Sequence, residues 1–150
     1  MTDEERYTFS SLMSFLIGTE EKLERFYETT AEWVSEGKLK SLLSAYAKNS
    51  LRRMQMMRKA RVETVVEMTL GPITGLKLAE PLAEINVTIE NGRISNVEKA
   101  MLVEKTVCDL YVRASSKIMQ ISAETGELLR EMSRESGQRV HELEQYVRSA

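Results

Sequence analysis

Apolar positions recur at three- and four-residue steps over most of the chain, the spacing of one helical face, and they group into four long segments. The first, from about Phe9 to Val34, carries Phe9, Met13, Leu16, Leu23, Tyr27, Ala31 and Val34 on one side, and Gly37 ends it. The second begins near Lys38 and carries Leu39, Leu42, Tyr46, Met57, Ala60 and Thr64 on to about Met68. So short a turn makes these two segments antiparallel neighbours. The third opens at a capping box, Ser95-x-x-Glu98, carries Val97, Met101, Val107, Cys108, Tyr111 and Ile118, and ends near Ile121. The fourth, from about Ala123 to Arg148, has Leu129, Met132, Val140, Leu143 and Val147 in its stripe. Four amphipathic helices of this length can close a single core, so the expected fold is all-α, one domain over residues 1–150.

Between the two pairs lies a long connection, about residues 69–94, opened by Gly71-Pro72 and Gly75, interrupted by Pro81 and closed by Asn91-Gly92. The alternation Ile85, Val87, Ile89 before Asn91-Gly92 allows a small β-hairpin. The preferred expectation is an extended crossover that carries the chain to a parallel start for the third helix. An up-down-down-up bundle topology gives such a connection its reason.

Composition narrows the class. The chain has 150 residues, 42% hydrophobic and 29% charged, with seven glycines and two prolines, which excludes disordered and fibrous proteins. A formal net charge of −2 leaves no global positive field to gather nucleic acid. No stretch approaches the length of a membrane span. The single cysteine, Cys108, rules out an intrachain disulfide and any CxxC motif and fits a reducing compartment, so the expected location is cytoplasmic. In that setting the sequon Asn86-Val87-Thr88 is an accidental match.

Six residues do not belong on the faces they occupy. At about 100° per residue, Glu20 falls within roughly 20° of Met13 and Tyr27, and Glu104 within roughly 20° of Val97 and Tyr111, at the centres of their stripes. Arg53 falls amid Tyr46, Met57 and Ala60, and Arg139 close to Val140, Leu143 and Met132; each has a serine three residues earlier, Ser50 and Ser136. Glu20 and Tyr27 repeat as Glu104 and Tyr111 at an offset of 84, while Ser50 and Arg53 repeat as Ser136 and Arg139 at 86. The pattern is that of a duplicated helical hairpin. A charge in an apolar core loses several kcal/mol of hydration, so these acids and arginines are expected to neutralise one another, with Tyr27 and Tyr111 hydroxyls beside them. For any one position the alternative is a side chain that snorkels to water, but four coincident, pairwise-repeated positions weigh against it.

With these residues in view, the chain resembles a rubrerythrin-like member of the ferritin-like superfamily over about Phe9 to Val147. That superfamily holds two iron or manganese ions in a four-helix bundle, with a Glu from each of two helices and a Glu-x-x-His from each of the others. The resemblance implies a ferritin-like four-helix up-down-down-up bundle in which Glu20 and Glu104, with Tyr27 and Tyr111, stand at family positions. Where Glu-x-x-His is required the sequence reads Ser50-Leu51-Arg52-Arg53 and Ser136-Gly137-Gln138-Arg139. A slip of one residue would put Asn49 and Arg52 there, with the same consequence. A guanidinium donates hydrogen bonds and accepts none, so it cannot ligate a cation. The expectation is therefore a vestigial metal centre, with Arg53 and Arg139 in the volume and charge role of the lost ions, and no metal or other cofactor.

Other candidates reduce to packing or solvated surface. His141 lies on the side of the fourth helix away from its stripe, although Gln138-x-x-His141 imitates ligand spacing. Cys108, between Glu104 and Tyr111, reads as a small inward hydrophobe, with a redox or thiolate role as the alternative. Met54, Met56 and Met57 suit plastic core packing better than copper. Arg52, Arg58, Lys59 and Arg61 scatter around the second helix as a solvated surface. No Gly-rich phosphate loop or catalytic triad occurs. The expected function is a non-catalytic binding or assembly module, a homodimer or higher homo-oligomer with Trp33 and Phe26 as contact residues, and with no nucleic-acid, membrane or metal partner. The alternative is a rubrerythrin-like oxidoreductase with a reduced or atypical site using Glu20, Glu104, Tyr27, Tyr111 and Cys108.

Overall fold

The computed structural model describes residues 5–64 and 72–149. Among these the protein is all-α: five helices and one sheet of two short strands, β1 (Arg6–Tyr7) and β2 (Ile73–Thr74). The helices are α1 (Phe9–Trp33), α2 (Gly37–Thr64), α3 (Ala79–Glu90), α4 (Asn96–Ile118) and α5 (Ala123–Ser149). The expected end of the second segment at Met68, the Thr64 side chain and Gly71 lie outside the described residues. The chain forms two compact units, Tyr7–Gly71 and Met1–Arg6 together with Pro72–Ala150.

The first unit is the α1–α2 hairpin. Thr8 caps α1 by accepting from Ser11 N–H at 2.9 Å, while the Ser11 hydroxyl accepts from Thr8 N–H at 2.8 Å. The chain reverses over residues 34–36, and the Glu36 carboxylate then takes the N–H groups of Lys38 and Leu39 at 3.0 and 2.7 Å. Those are orphan donors at the start of α2, so Glu36 does the work of an N-cap. Gly37, expected to stop the first helix, instead begins the second.

In the second unit α4 and α5 form the corresponding hairpin, with α3 packed against α4. Ser95 caps α4 by accepting from Glu98 N–H at 3.2 Å. Helix α4 ends at Ile118, short of the expected Ile121, because the N–H groups of Gln120 and Ile121 turn to carbonyls three residues back, Lys117 at 3.3 Å and Ile118 at 2.8 Å. The turn is tight: a Cβ on Gly126 would meet the Met119 backbone at 2.8 Å, and Ser115 donates to the Gly126 carbonyl at 2.7 Å.

The connection before α4 corrects the sequence expectation, since it is neither an extended crossover nor a β-hairpin. Leu78, Leu82, Ile85 and Ile89 recur at helical steps; Leu78 and Ile85 are fully buried, whereas Val87 is 67% exposed. The alternation Ile85, Val87, Ile89 is thus part of a helical stripe plus one solvent-facing valine. Pro81 is tolerated because it is the third residue of α3, where an N–H has no intrahelical acceptor. Glu5 accepts from Ala79 N–H at 3.1 Å at one end of α3, and Lys99 Nζ donates to the Ile89 carbonyl at 2.9 Å at the other.

The buried registers of the two hairpins match beyond the residues that first revealed the repeat. Positions 16, 20, 23, 27 and 30 of α1 are buried, as are 100, 104, 107, 111 and 114 of α4. Positions 39, 43, 46, 50, 53 and 57 of α2 are buried, as are 125, 129, 132, 136, 139 and 143 of α5. Leu43, not Leu42, is the fully buried leucine of α2.

Candidate functional site

Each hairpin encloses one carboxylate and one guanidinium in the middle of its apolar stripe. In the first, Glu20 stands between Leu16 and Leu23 on α1, and Arg53 between Ser50 and Met57 on α2. Arg53 Nη1 donates to Glu20 Oε1 at 2.9 Å, and both side chains are wholly shielded from solvent. In the second, Arg139 Nη1 donates to Glu104 Oε2 at 3.2 Å, with Arg139 side-chain exposure of 5%. The helical period forces this placement. A helix that buries Leu43, Tyr46 and Met57 must also turn inward the residues between them on the same stripe.

Burial makes both pairs demanding. Each ion gives up hydration worth several kcal/mol, which only a close, hydrogen-bonded opposite charge offsets. The charge-assisted contact therefore specifies which two helix positions must meet as much as it stabilises the hairpin. Ser50 and Ser136 are also fully buried, and their hydroxyls have no hydrogen-bond partner among the described residues. A buried hydroxyl in that state costs stability, on the order of 1 to 3 kcal/mol, because its lost hydration is not replaced.

The structure thus puts Glu20, Ser50 and Arg53 within one hairpin and Glu104, Ser136 and Arg139 within the other, all buried. Tyr27 and Tyr111 are fully buried as well, and the Tyr27 ring packs edge-on against Tyr46 with centroids 5.4 Å apart. Cys108 is a correction. It is half-buried at the edge of the α4 stripe, with its Sγ 3.3 Å from Ser133 Oγ, and the Ser133 hydroxyl donates to the Cys108 carbonyl at 2.9 Å. Phe26 is a second: it is 8% exposed and packs beside Tyr27, so it is no contact residue, whereas Trp33 is 82% exposed.

The residues present do not suit a di-metal centre. Of the six positions that the ferritin-like resemblance would make ligands, two carry arginines already paired with carboxylates and two carry serines. Among the described residues no group of three or more His, Cys, Asp or Glu side chains is placed to hold a metal ion. His141 is exposed and lies beside Gln145, its Nε2 3.1 Å from the amide nitrogen. Nor is any helix among the described residues long and apolar enough to cross a membrane.

One feature escaped the sequence reading: a groove of roughly 300 Å³ along the α1–α2 hairpin, with Glu24, Glu28 and Glu32 on its α1 side. Glu24 has its carboxyl pushed above the usual range, first by a side-chain hydrogen bond with Glu28, then by partial desolvation and the Glu28 charge. Acids at steps of four on one helix were the available signal. In comparisons with known proteins, no family model, no curated protein and no solved structure matches the chain.

Proposed function

We propose that the chain is a ferritin-like, rubrerythrin-like four-helix bundle of up-down-down-up topology that has exchanged its di-metal chemistry for buried carboxylate–guanidinium pairs. It acts as a non-catalytic binding or assembly module and self-associates. A reducing compartment such as the cytoplasm suits the free thiol of Cys108. The observation that carries this reading is the repeated buried register, with a guanidinium hydrogen-bonded to a carboxylate at the imidazole position of both hairpins. A guanidinium stays protonated at physiological pH and repels a cation, so the exchange removes metal chemistry while keeping each acid neutralised.

The test is metal analysis of protein produced with added iron or manganese, beside a repaired variant carrying Ser50→Glu, Arg53→His, Ser136→Glu and Arg139→His. The parent should hold no stoichiometric iron or manganese, and the repaired protein should gain it while staying helical. Two metal ions per parent chain would select the rubrerythrin-like oxidoreductase instead.

A further inference from the structure

We propose that the groove along the α1–α2 hairpin is the contact surface for a second copy of this chain, with the acidic α1 rim of each copy meeting the basic α2 rim of the other. This names the surface for the self-association in the proposed function and rests on that part of the reading. It does not depend on the fate of the metal centre.

The rims differ in sign. Glu24, Glu28 and Glu32 line the α1 side, while Lys40 and Lys48 line the α2 side. The floor between them is low, because Ala31 and Ala47 are buried and small. Among the described residues neither lysine makes an ion pair, so both ammonium groups remain available.

The register of the hairpin makes the surface self-complementary. Because the chain reverses between Trp33 and Gly37, Glu32 lies level with Lys40, Glu28 with Ser44 and Glu24 with Lys48 along two antiparallel helices. A two-fold axis parallel to these helices lays α1 of one copy on α2 of the other without changing level. Glu32 then faces Lys40 of the other copy and Glu24 faces its Lys48. Both contacts occur twice, as an isologous interface requires. Lys48 of the other copy would also place a cation beside Glu24, offsetting the repulsion it feels from the Glu28 charge. At the far end of the groove Leu51, 46% exposed, adds apolar surface to the contact.

Sedimentation equilibrium of the full chain tests this. The parent should dimerise at concentrations on the order of tens of micromolar. The charge reversals Lys40→Glu with Lys48→Glu, and separately Glu24→Lys with Glu32→Lys, should each weaken self-association by about a hundredfold, since like charges then face each other at every rim contact. Mixing the two variants should restore a dimer containing one of each. All substituted residues except the half-buried Glu24 are exposed, and circular dichroism checks that both variants keep the parent's helicity. A parent that stays monomeric in that range, a dimer indifferent to either reversal, or a mixture that fails to pair overturns the proposal. Metal analysis reports on the ferritin-like reading separately, so failure of one is distinguishable from failure of the other.

Discussion

The α1–α2 and α4–α5 hairpins bury the same register of positions around the same pair of charges, yet they close differently. The first seals Arg53 completely and turns on a carboxylate, Glu36, that caps the start of α2. The second leaves Arg139 slightly exposed at a longer 3.2 Å contact and closes where Gly126, in the first turn of α5, is pressed against Met119. What the two share is the placement of an acid and a base across two antiparallel helices. What differs is the means of bringing those helices together. A buried charge tolerates no change in its partner, whereas a turn can be made in several ways.

The largest test of this comparison removes the bases. Arg53→Ala should cost about 3 to 5 kcal/mol in urea unfolding, because Glu20 loses its counter-charge in a dry environment. Arg139→Ala should cost less, since solvent already reaches that end of the pair. Equal losses below about 0.5 kcal/mol would show that neither guanidinium matters to its hairpin. Replacing both partners in the first hairpin, Glu20→Leu with Arg53→Met, should recover most of the single loss, as similar-sized apolar pairs often match or exceed a buried ion pair. The turns come next. Gly126→Ala should destabilise by about 1 to 3 kcal/mol, for the Met119 backbone must move. Glu36→Ala should cost about 1 kcal/mol, the usual worth of a cap.

Smaller effects sharpen the likeness between the halves. Gly18 in α1 and Gly137 in α5 sit inside helices where an added Cβ meets nothing within 4 Å. Gly18→Ala and Gly137→Ala should each stabilise by about 0.5 to 1 kcal/mol, read as a rise in the urea midpoint. The smallest effect concerns Glu24. Its pKa in the folded chain is raised, so the folded state holds that proton more tightly than the unfolded one. The stabilisation is present at low pH and fades as pH climbs from the ordinary carboxylate range through the raised value. Glu28→Gln should flatten that slope, which titration of Glu24 followed by NMR would show.

Much of this was written in the amino-acid order. Glu20 and Glu104 announce themselves because each interrupts an apolar stripe at its centre, and Ser50 and Ser136 confirm the pattern by recurring three residues before an arginine. Helix α3 was not legible in the same way. Pro81 and the alternating Ile85, Val87 and Ile89 imitate extended chain, and only burial shows that Val87 belongs to a different face. Cys108 misled for a related reason: one position away from a buried stripe residue is about 100° of rotation, enough to leave its thiol at the edge.

Periodicity is local, so the sequence by itself determined that the chain is helical, which faces turn inward, and that charges lie among them. Partner choice is not local. Only the tertiary structure decided that Arg53 meets Glu20 and Arg139 meets Glu104, each within its own hairpin, and that opposite charges flank a groove along α1 and α2. Those relations depend on the turn that sets two helices level with each other, and a stripe drawn on one helix carries no record of it.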